Sequence, residues 1–400
     1  QFRETRILLP ADDYDFADED DAEQDAAYCQ HPATAPSAPS RLYLPKASSE
    51  DQTIDRYLST LPPVVEAADS LLSVPPVHLS SHNCRGVRVL NVLQGEIGHC
   101  SAAQADVVVS DKATTCHILA LRSTVDDDGR GEACAVSLAH VDRAGYEKDL
   151  TEAVRAHKAF HRRRDGRLSV ANDGDEEKKS EDQDEPRGSA QIRIDVHIAG
   201  GFSDPDGSSS AITSSLLSTL ALLADEEDDA VFTLRTCAVG RLNDDDMHGG
   251  PVGRGLAVNV ATGEVYLAKV DRSVAGPMIA ARSARLWSHM HSQEERTLSV
   301  VHRLPSPTSS PSRLSVEAFR YAPFPEISPI LRLSDDVLLK YTSTSPDVEE
   351  DTFCRDVRST LRFIRDTKAE EYFGAECDED VCWRRRRDDV NRWGLAAVRT

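Results

Sequence analysis

Short runs of apolar and β-branched residues alternate along the chain with polar segments rich in Gly, Asp and Ser, a pattern typical of β-strands. A tight turn at 261–263 separates two of these runs and predicts a β-hairpin. The predicted strands are 87–93, 106–110, 116–122, 133–141, 192–199, 231–239, 255–260, 264–270, 297–302 and 314–321.

Apolar residues at helical spacing predict helices around these strands. One face of the segment 146–164 carries Leu150, Val154, His157 and His161. Strands clustered with flanking helices indicate an α+β fold, a layered sandwich of mixed or antiparallel β-sheet with helices outside it. The predicted helices are 146–164, 208–224, 334–341 and 346–367.

Three parts of the chain hold too few apolar residues to offset the entropy of ordering them. The first is rich in carboxylates and Pro, the second in Asp, Glu and Lys, and the third in Pro and Ser. The predicted organisation is a disordered acidic arm over 1–50, a core over 51–304 with a disordered insertion at 172–189, a Pro/Ser segment at 305–312, the C-terminal part of the core over 313–368 and a charged tail over 369–400.

The chain of 400 residues contains 46 Lys and Arg against 68 Asp and Glu, a net charge of −22. This charge repels phosphate backbones, so we expect no nucleic-acid partner and interpret the Arg run at 384–387 as solvated surface. The sequence has no run near the roughly 18 apolar residues that cross a bilayer and no opening signal segment. We therefore expect a soluble intracellular protein, in which the nine Cys are reduced thiols.

Two predicted strands place a thiol and an imidazole at neighbouring ends. Cys116 begins one strand and His140 lies at the end of the next, so a hairpin would bring their side chains within about 5 Å, close enough for a thiolate–imidazolium pair. Ser110, at the end of the preceding strand, would orient the imidazole. Backbone N–H groups beside Thr115, together with Thr114, would stabilise an oxyanion. These residues predict a site with a cysteine nucleophile.

The same residues also have a purely structural interpretation. A cysteine on a buried strand is most often a small core residue, and His140 would then be a hydrogen-bonded histidine at the rim of the sheet. His117 alternates to the opposite strand face from Cys116, which makes it the poorer candidate for a base. Spacing in the sequence does not choose between the two interpretations.

Five sequence blocks between residues 87 and 366 carry a resemblance to a known family. They are SDKATTCHILAL at 110–121, VHIAGGFSD at 196–204, GLAVNVATGEVY at 255–266, YAPFP at 321–325 and STSPDVEEDTFCRDVRSTLRF at 343–363. In their order they resemble the protein N-terminal asparagine amidohydrolase family. The resemblance implies that Cys116 is the nucleophile in the conversion of N-terminal Asn to Asp and ammonia. It also implies a role in the N-degron pathway, in the cytoplasm with the nucleus as a second location.

Shorter matches at 139–141, 199–201 and 259–264 are similar to bacterial chemoreceptor glutamine deamidases. That more distant family uses a Cys, a His on the following strand and a hydroxyl residue before the Cys. The resemblance implies a deamidase-like fold, with His140 as the base and Ser110 as the third member of the catalytic set. Ser110 stands where that family has Thr.

A substrate with a free α-ammonium group requires an acidic partner. Asp142, Asp204 and Asp244 lie at segment ends near the predicted site, although each is also typical of a solvated surface carboxylate. Thr115 and Gly201 are further candidates for substrate contact, through backbone N–H groups that would stabilise the oxyanion. The expected partners are proteins or peptides with N-terminal Asn, bound by a monomer that has no membrane contact.

Other clusters in the sequence do not indicate a metal or a cofactor. His157 and His161 stand four residues apart but lack a third ligand, so we interpret them as helix surface. Cys377 and Cys382 lack the second pair that a zinc site requires. The glycines at 249–255 lack the strand–helix context of a phosphate-binding loop.

Two other functions stay open at this stage. A protein of the same fold could deamidate an internal Gln or Asn of a folded protein, which requires no free α-amine. The other alternative is a catalytically inert adaptor whose acidic segments bind basic partners.

Overall fold

The computed structural model describes residues 2–9, 40–45, 53–125, 134–164, 191–204, 206–244, 252–289, 296–305 and 313–396. The strands are β1 Phe2–Leu8, β2 Arg41–Pro45, β3 Val77–Leu79, β4 Val89–Asn91, β5 Glu96–Ser101, β6 Val107–Ala113, β7 His117–Val125, β8 Cys134–Val141, β9 Ile192–Gly200, β10 Ala230–Val239, β11 Arg254–Asn259, β12 Val265–Val270, β13 Ser299–His302, β14 Arg313–Val316, β15 Val381–Arg385 and β16 Trp393–Leu395. The helices are α1 Ile54–Leu58, α2 Pro62–Ser73, α3 Glu147–Arg164, α4 Ser208–Glu226, α5 Ile279–His289, α6 Ile327–Ile330, α7 Asp335–Thr342, α8 Phe353–Asp366 and α9 Ala369–Phe373.

The described strands form three β-sheets. The large sheet has the order β13-β5-β8-β7-β9-β10-β1-β2, the small sheet β3-β12-β11-β6-β4, and a third sheet β14-β15-β16. Near the centre of the large sheet, β7 pairs antiparallel with both β8 and β9. In the small sheet, β11 and β12 pair antiparallel as the predicted hairpin.

Alternation along β7 divides its side chains between two cores. Leu119 and Leu121 belong to a core shared with α3 and α4, whereas Ile118 and Ala120 belong to a core shared with β6 and β11 of the small sheet. We call the space between the two sheets the inter-sheet core. The large sheet is therefore covered by helices on one face and by the small sheet on the other, which confirms the predicted α+β sandwich with flanking helices.

The N-terminal segment is not entirely a disordered arm. β1 and β2 pair with each other at the edge of the large sheet, and β1 also pairs with β10. Ile7 and Leu42 are buried there, because alternating apolar residues give even a short strand one face that packs on a core. The prediction of an arm over 1–50 is wrong for these strands. Residues 10–39 and the predicted insertion at 172–189 lie outside the described residues.

The predicted charged tail contains regular structure. α9, β15 and β16 all lie beyond residue 368, and β15 pairs with β14. Arg385 lies 4.3 Å from the centroid of the Trp393 ring and donates a hydrogen bond to Val89 O at 2.9 Å. The interpretation of the Arg run as solvated surface is therefore wrong for Arg385, whose aliphatic stem and planar head pack against other residues.

The segment 346–367, predicted as one helix, is divided in the structure. A single turn of 3-10 helix at Pro346–Val348 is followed by α8, which begins at Phe353.

Among the described helices, none has the combination of length and hydrophobicity that crossing a membrane demands.

Candidate active site

Ser110 and His140 meet in the inter-sheet core, although they belong to different sheets. Ser110 Oγ lies 2.8 Å from His140 Nδ1 and 2.6 Å from Val92 O. A hydroxyl carries one proton and a carbonyl oxygen only accepts, so Ser110 donates to Val92 and accepts from His140 Nδ1. The neutral imidazole therefore carries its proton on Nδ1. Its other nitrogen, Nε2, has a free lone pair.

The environment of His140 keeps that nitrogen unprotonated and without a hydrogen-bond partner within the described residues. Within the described residues Nε2 is buried without a hydrogen-bond partner. Burial lowers the pKa of His140 to about 4, while the nearby carboxylate of Asp142 acts in the opposite direction. At neutral pH the ring is neutral and Nε2 can accept a proton, as a general base must.

Cys116 and His140 both belong to the inter-sheet core. Ile118 is directly opposite His140 in the β7–β8 register, and Cys116 is two residues before Ile118. Cys116 comes directly before β7, and its side chain is buried among the residues of the inter-sheet core, where His140 meets Ser110. The charge of Asp142 raises the pKa of both Cys116 and His140, against a larger effect of burial that lowers the pKa of His140.

The electrostatics of the thiol differ from the expectation. Cys116 is only 7% exposed, and burial, followed by the charge of Asp142, raises its pKa to about 12. The expected resting pair of thiolate and imidazolium is therefore wrong. The burial favours a neutral thiol beside a neutral imidazole, from which a thiolate forms only when the proton moves to His140.

The backbone around Cys116 is held from the helix side of the large sheet. Ser209 Oγ donates to Thr115 O at 3.0 Å, and Gly201 N donates to Cys116 O at 2.8 Å. The Gly201 N–H is therefore engaged and is not free to stabilise an oxyanion, contrary to the expectation. Gly201 has φ +68°, and a Cβ there would lie 2.5 Å from His117 Cε1, so only glycine fits this position without displacing the His117 ring.

The three predicted acidic candidates occupy different places. Asp142 lies near Cys116 and accepts a hydrogen bond from Tyr146 Oη at 2.6 Å. The carboxylate of Asp204 accepts from the backbone N–H groups of Ser208 and Ser209 at 2.7 and 3.1 Å. Both of its oxygens therefore bond the start of α4, a structural role.

The third predicted candidate is Asp244. It accepts from the backbone N–H of Ser203 at 3.0 Å, beside Asp204 rather than beside the thiol.

Glu349 is an acidic residue near the thiol that was not predicted. It lies close enough to Cys116 to raise the thiol pKa, and it accepts from Ser343 Oγ at 2.6 Å. Sequence analysis did not single out Glu349, although it belongs to the block at 343–363. Burial also raises the pKa of Glu349 itself.

An open cleft of about 900 Å³ reaches His140. Its size is in the range of clefts that bind small ligands and peptide segments. The wall combines apolar residues, among them Trp287 and Phe353, with charged residues that include Lys112. Next to it, Thr115 Oγ1 lies 3.2 Å from Thr344 Oγ1, so the segment after α7 lies directly against the residue before the thiol.

His157 and His161 do not lie on the helix surface. Both are buried against the large sheet, where His157 contacts Ser137 Oγ at 2.6 Å and Ser123 Oγ at 2.7 Å. His161 Nε2 contacts the same Ser123 hydroxyl at 2.8 Å. The predicted surface position is wrong because paired hydroxyls on the strands make burial of neutral imidazoles favourable.

The described residues also contain no group of three or more His, Cys, Asp or Glu side chains arranged to hold a metal ion. His117 lies on the opposite face of β7 from Cys116, as its alternation predicts, and its Nε2 lies 2.8 Å from Thr213 Oγ1. It is therefore separated from the thiol by the sheet itself.

Comparisons with known proteins point to one family. The family described as protein N-terminal asparagine amidohydrolase matches residues 79–174 and 176–393. The protein of that name from Homo sapiens is 29% identical over 312 residues, 75% of this chain and 84% of the relative. The protein of that name from Mus musculus is 26% identical over 337 residues, 81% of this chain and 92% of the relative. The chain belongs to the protein N-terminal asparagine amidohydrolase family.

Proposed function

We propose that this protein hydrolyses the side-chain amide of an N-terminal Asn to give Asp and ammonia, with Cys116 as the nucleophile and His140 as the base. The observation that carries the proposal is the bare Nε2 of His140, fixed by Ser110 on the other ring nitrogen, in the same core that holds the Cys116 thiol. Family membership supports the reaction, since the relatives are named for it.

The first half of the reaction forms a thioester. The Cys116 thiol attacks the carboxamide carbon as its proton passes to His140 Nε2, which leaves an imidazolium and a tetrahedral oxyanion. The backbone N–H of Cys116 stabilises the oxyanion, and one such donor contributes about 3 kcal/mol. The imidazolium then returns the proton to the amide nitrogen, the carbon–nitrogen bond breaks and ammonia leaves.

The second half regenerates the enzyme. His140, neutral again, takes a proton from a water molecule that attacks the thioester carbonyl. The carbon–sulfur bond breaks, the imidazolium protonates the departing sulfur, and the substrate leaves with Asp at its N-terminus. Ser110 keeps the same Nδ1 proton throughout both halves, so the ring uses one nitrogen for every transfer.

Recognition of the chain terminus requires a carboxylate near the reacting carbon. We assign this role to the pair Asp142 and Glu349, because the charge of each reaches Cys116. We do not assign the role to Asp204 or Asp244, because Asp204 accepts from the backbone at the start of α4 and Asp244 from the backbone of Ser203. The product would enter the N-degron pathway, and we propose a monomer that acts in the cytoplasm or the nucleus.

The test is ammonia release from four matched peptides that begin with Asn, Gln, acetyl-Asn or Asp. We expect release from the Asn peptide alone. Release from acetyl-Asn at a similar rate would favour the deamidase of internal residues, and no release from any peptide would favour the adaptor. Cys116→Ala is expected to abolish release, whereas Cys134→Ala, which removes another buried thiol of the inter-sheet core, is the matched control.

A further inference from the structure

The first turns of α4 contact the chain immediately behind the nucleophile. Ser209, which is completely buried, donates its hydroxyl proton to Thr115 O at 3.0 Å. The same oxygen accepts from the backbone N–H of Phe202 at 3.3 Å. Both contacts of this side chain are thus with backbone on the helix side of the large sheet.

The hydrogen bond to Thr115 O has a geometric consequence for Cys116. The C=O of Thr115 and the N–H of Cys116 belong to one planar trans peptide, in which the two groups point in opposite directions. A carbonyl drawn toward α4 therefore directs the Cys116 N–H away from α4. That direction is the inter-sheet core, where the thiol and His140 lie.

Neighbouring contacts fix the same segment at two more points. Gly201 N donates to Cys116 O at 2.8 Å, and His117 Nε2 lies 2.8 Å from Thr213 Oγ1. Asp204 bonds the backbone N–H of Ser209 at 3.1 Å, which holds the serine itself in place. The Ser209 hydroxyl acts directly on the peptide unit that contains the Cys116 N–H, and the backbone of Thr115 also interacts with the His117 ring.

We propose that Ser209 is a positioning residue that aims the Cys116 N–H at the oxyanion formed during amide hydrolysis. This inference deepens the proposed function and rests on it. Ser209 contacts neither the thiol nor His140, so it acts through the peptide between Thr115 and Cys116. Its effect therefore belongs to the transition state and not to the binding of substrate.

The test compares Ser209→Ala with two variants of the same helix. Loss of a complete oxyanion donor costs roughly 10²- to 10³-fold in kcat, so a misdirected donor should cost about 10- to 100-fold, with KM changed less than about threefold. Ser214→Ala removes an exposed hydroxyl and Thr219→Val a buried one from α4, and both should retain kcat. The Ala variant removes one oxygen and leaves the Asp204 contacts in place, so it should fold.

A second readout separates aiming of the N–H from general damage to the site. Alkylation of Cys116 by iodoacetamide displaces iodide and builds no oxyanion, so its rate in Ser209→Ala should match that of the unchanged protein. Unchanged kcat would overturn the inference, and so would an equal fall in kcat and in alkylation rate. Absence of ammonia release from the unchanged protein would instead overturn the proposed function, and this inference with it.

Discussion

The large sheet carries a His–Ser cluster on each of its faces, and the two clusters differ in one respect. On the helix side, His157 contacts Ser137 through Nε2 and Ser123 through Nδ1, so both ring nitrogens have partners. In the inter-sheet core, His140 contacts Ser110 through Nδ1, and its Nε2 has no partner within the described residues. Both rings are buried and both pKa values are lowered.

This difference distinguishes a cluster that stabilises the fold from a cluster that is available for chemistry. A buried polar group with all its hydrogen bonds made is typical of a stabilising contact, whereas an unsatisfied one is costly and calls for a functional reason. The cluster on the helix side extends through Ser137 to His99 at 2.6 Å and through Ser123 to His161 at 2.8 Å, which forms a continuous hydrogen-bonded chain. The cluster in the inter-sheet core ends instead at an open lone pair beside Cys116.

Replacement of His140 and of His157 by glutamine should have different effects on activity. The loss of activity in His140→Gln is the largest effect that we expect. His140→Gln removes the proposed base, so ammonia release from an Asn-initiated peptide should fall about 10³-fold, in the range of general-base contributions. His157→Gln should lower the melting temperature while its kcat stays within about threefold. Equal loss of activity in the two variants would remove the distinction between the clusters.

Replacement of one serine in each cluster, Ser110 or Ser137, compares the two clusters again, with a smaller expected loss of activity. Ser110→Ala leaves His140 Nδ1 without its acceptor, so the ring can adopt the wrong tautomer, and kcat should fall by roughly one to two orders of magnitude. Ser137→Ala leaves buried imidazole nitrogens unpaired and should lower the free energy of unfolding by about 1 to 3 kcal/mol. Urea unfolding and steady-state kinetics on both variants measure the two effects. A Ser110→Ala enzyme with full kcat would contradict the tautomer argument.

The pH dependence of the free energy of unfolding should show the structural role of His157. This is the smallest of the three effects that we expect. Its folded-state pKa lies well below the ordinary value because of burial, so the unfolded chain binds the proton first as the pH falls below about 6.5. The stability that it contributes is present above that pH and is lost below it. In His157→Gln the loss of unfolding free energy between pH 7 and pH 5 should shrink by roughly 2 kcal/mol. An unchanged pH dependence would contradict the burial argument.

The sequence was sufficient for the parts of the fold that depend on local pattern. Alternation in 116–122 and 133–141 predicted the pairing of β7 with β8, and this pairing brings Cys116 and His140 to one end and one face of the sheet. The fold class followed from the order of strands and helices. Ser110 required more, since it comes from the small sheet and only the packing of two sheets brings its Oγ to His140.

What the sequence could not predict depends on long-range burial. The histidine face of α3 is polar in sequence and became interior only because Ser123 and Ser137 supply hydroxyls opposite it. The pKa of Cys116 is raised rather than lowered because desolvation and the charges of Asp142 and Glu349 all disfavour the thiolate. Glu349 joined the site through the loop between α7 and α8, whose position over Thr115 no local pattern determines.

The proposed mechanism requires that His140 is neutral, holds its proton on Nδ1 and presents Nε2 to the thiol. Nitrogen-15 NMR of the imidazole rings, with His140→Gln to assign the signals, measures the tautomer and the titration together. We expect a protonated Nδ1 and an unprotonated Nε2 at pH 7, with protonation of the ring only near pH 4. A proton on Nε2 at pH 7, or a titration near pH 6.5, would contradict it.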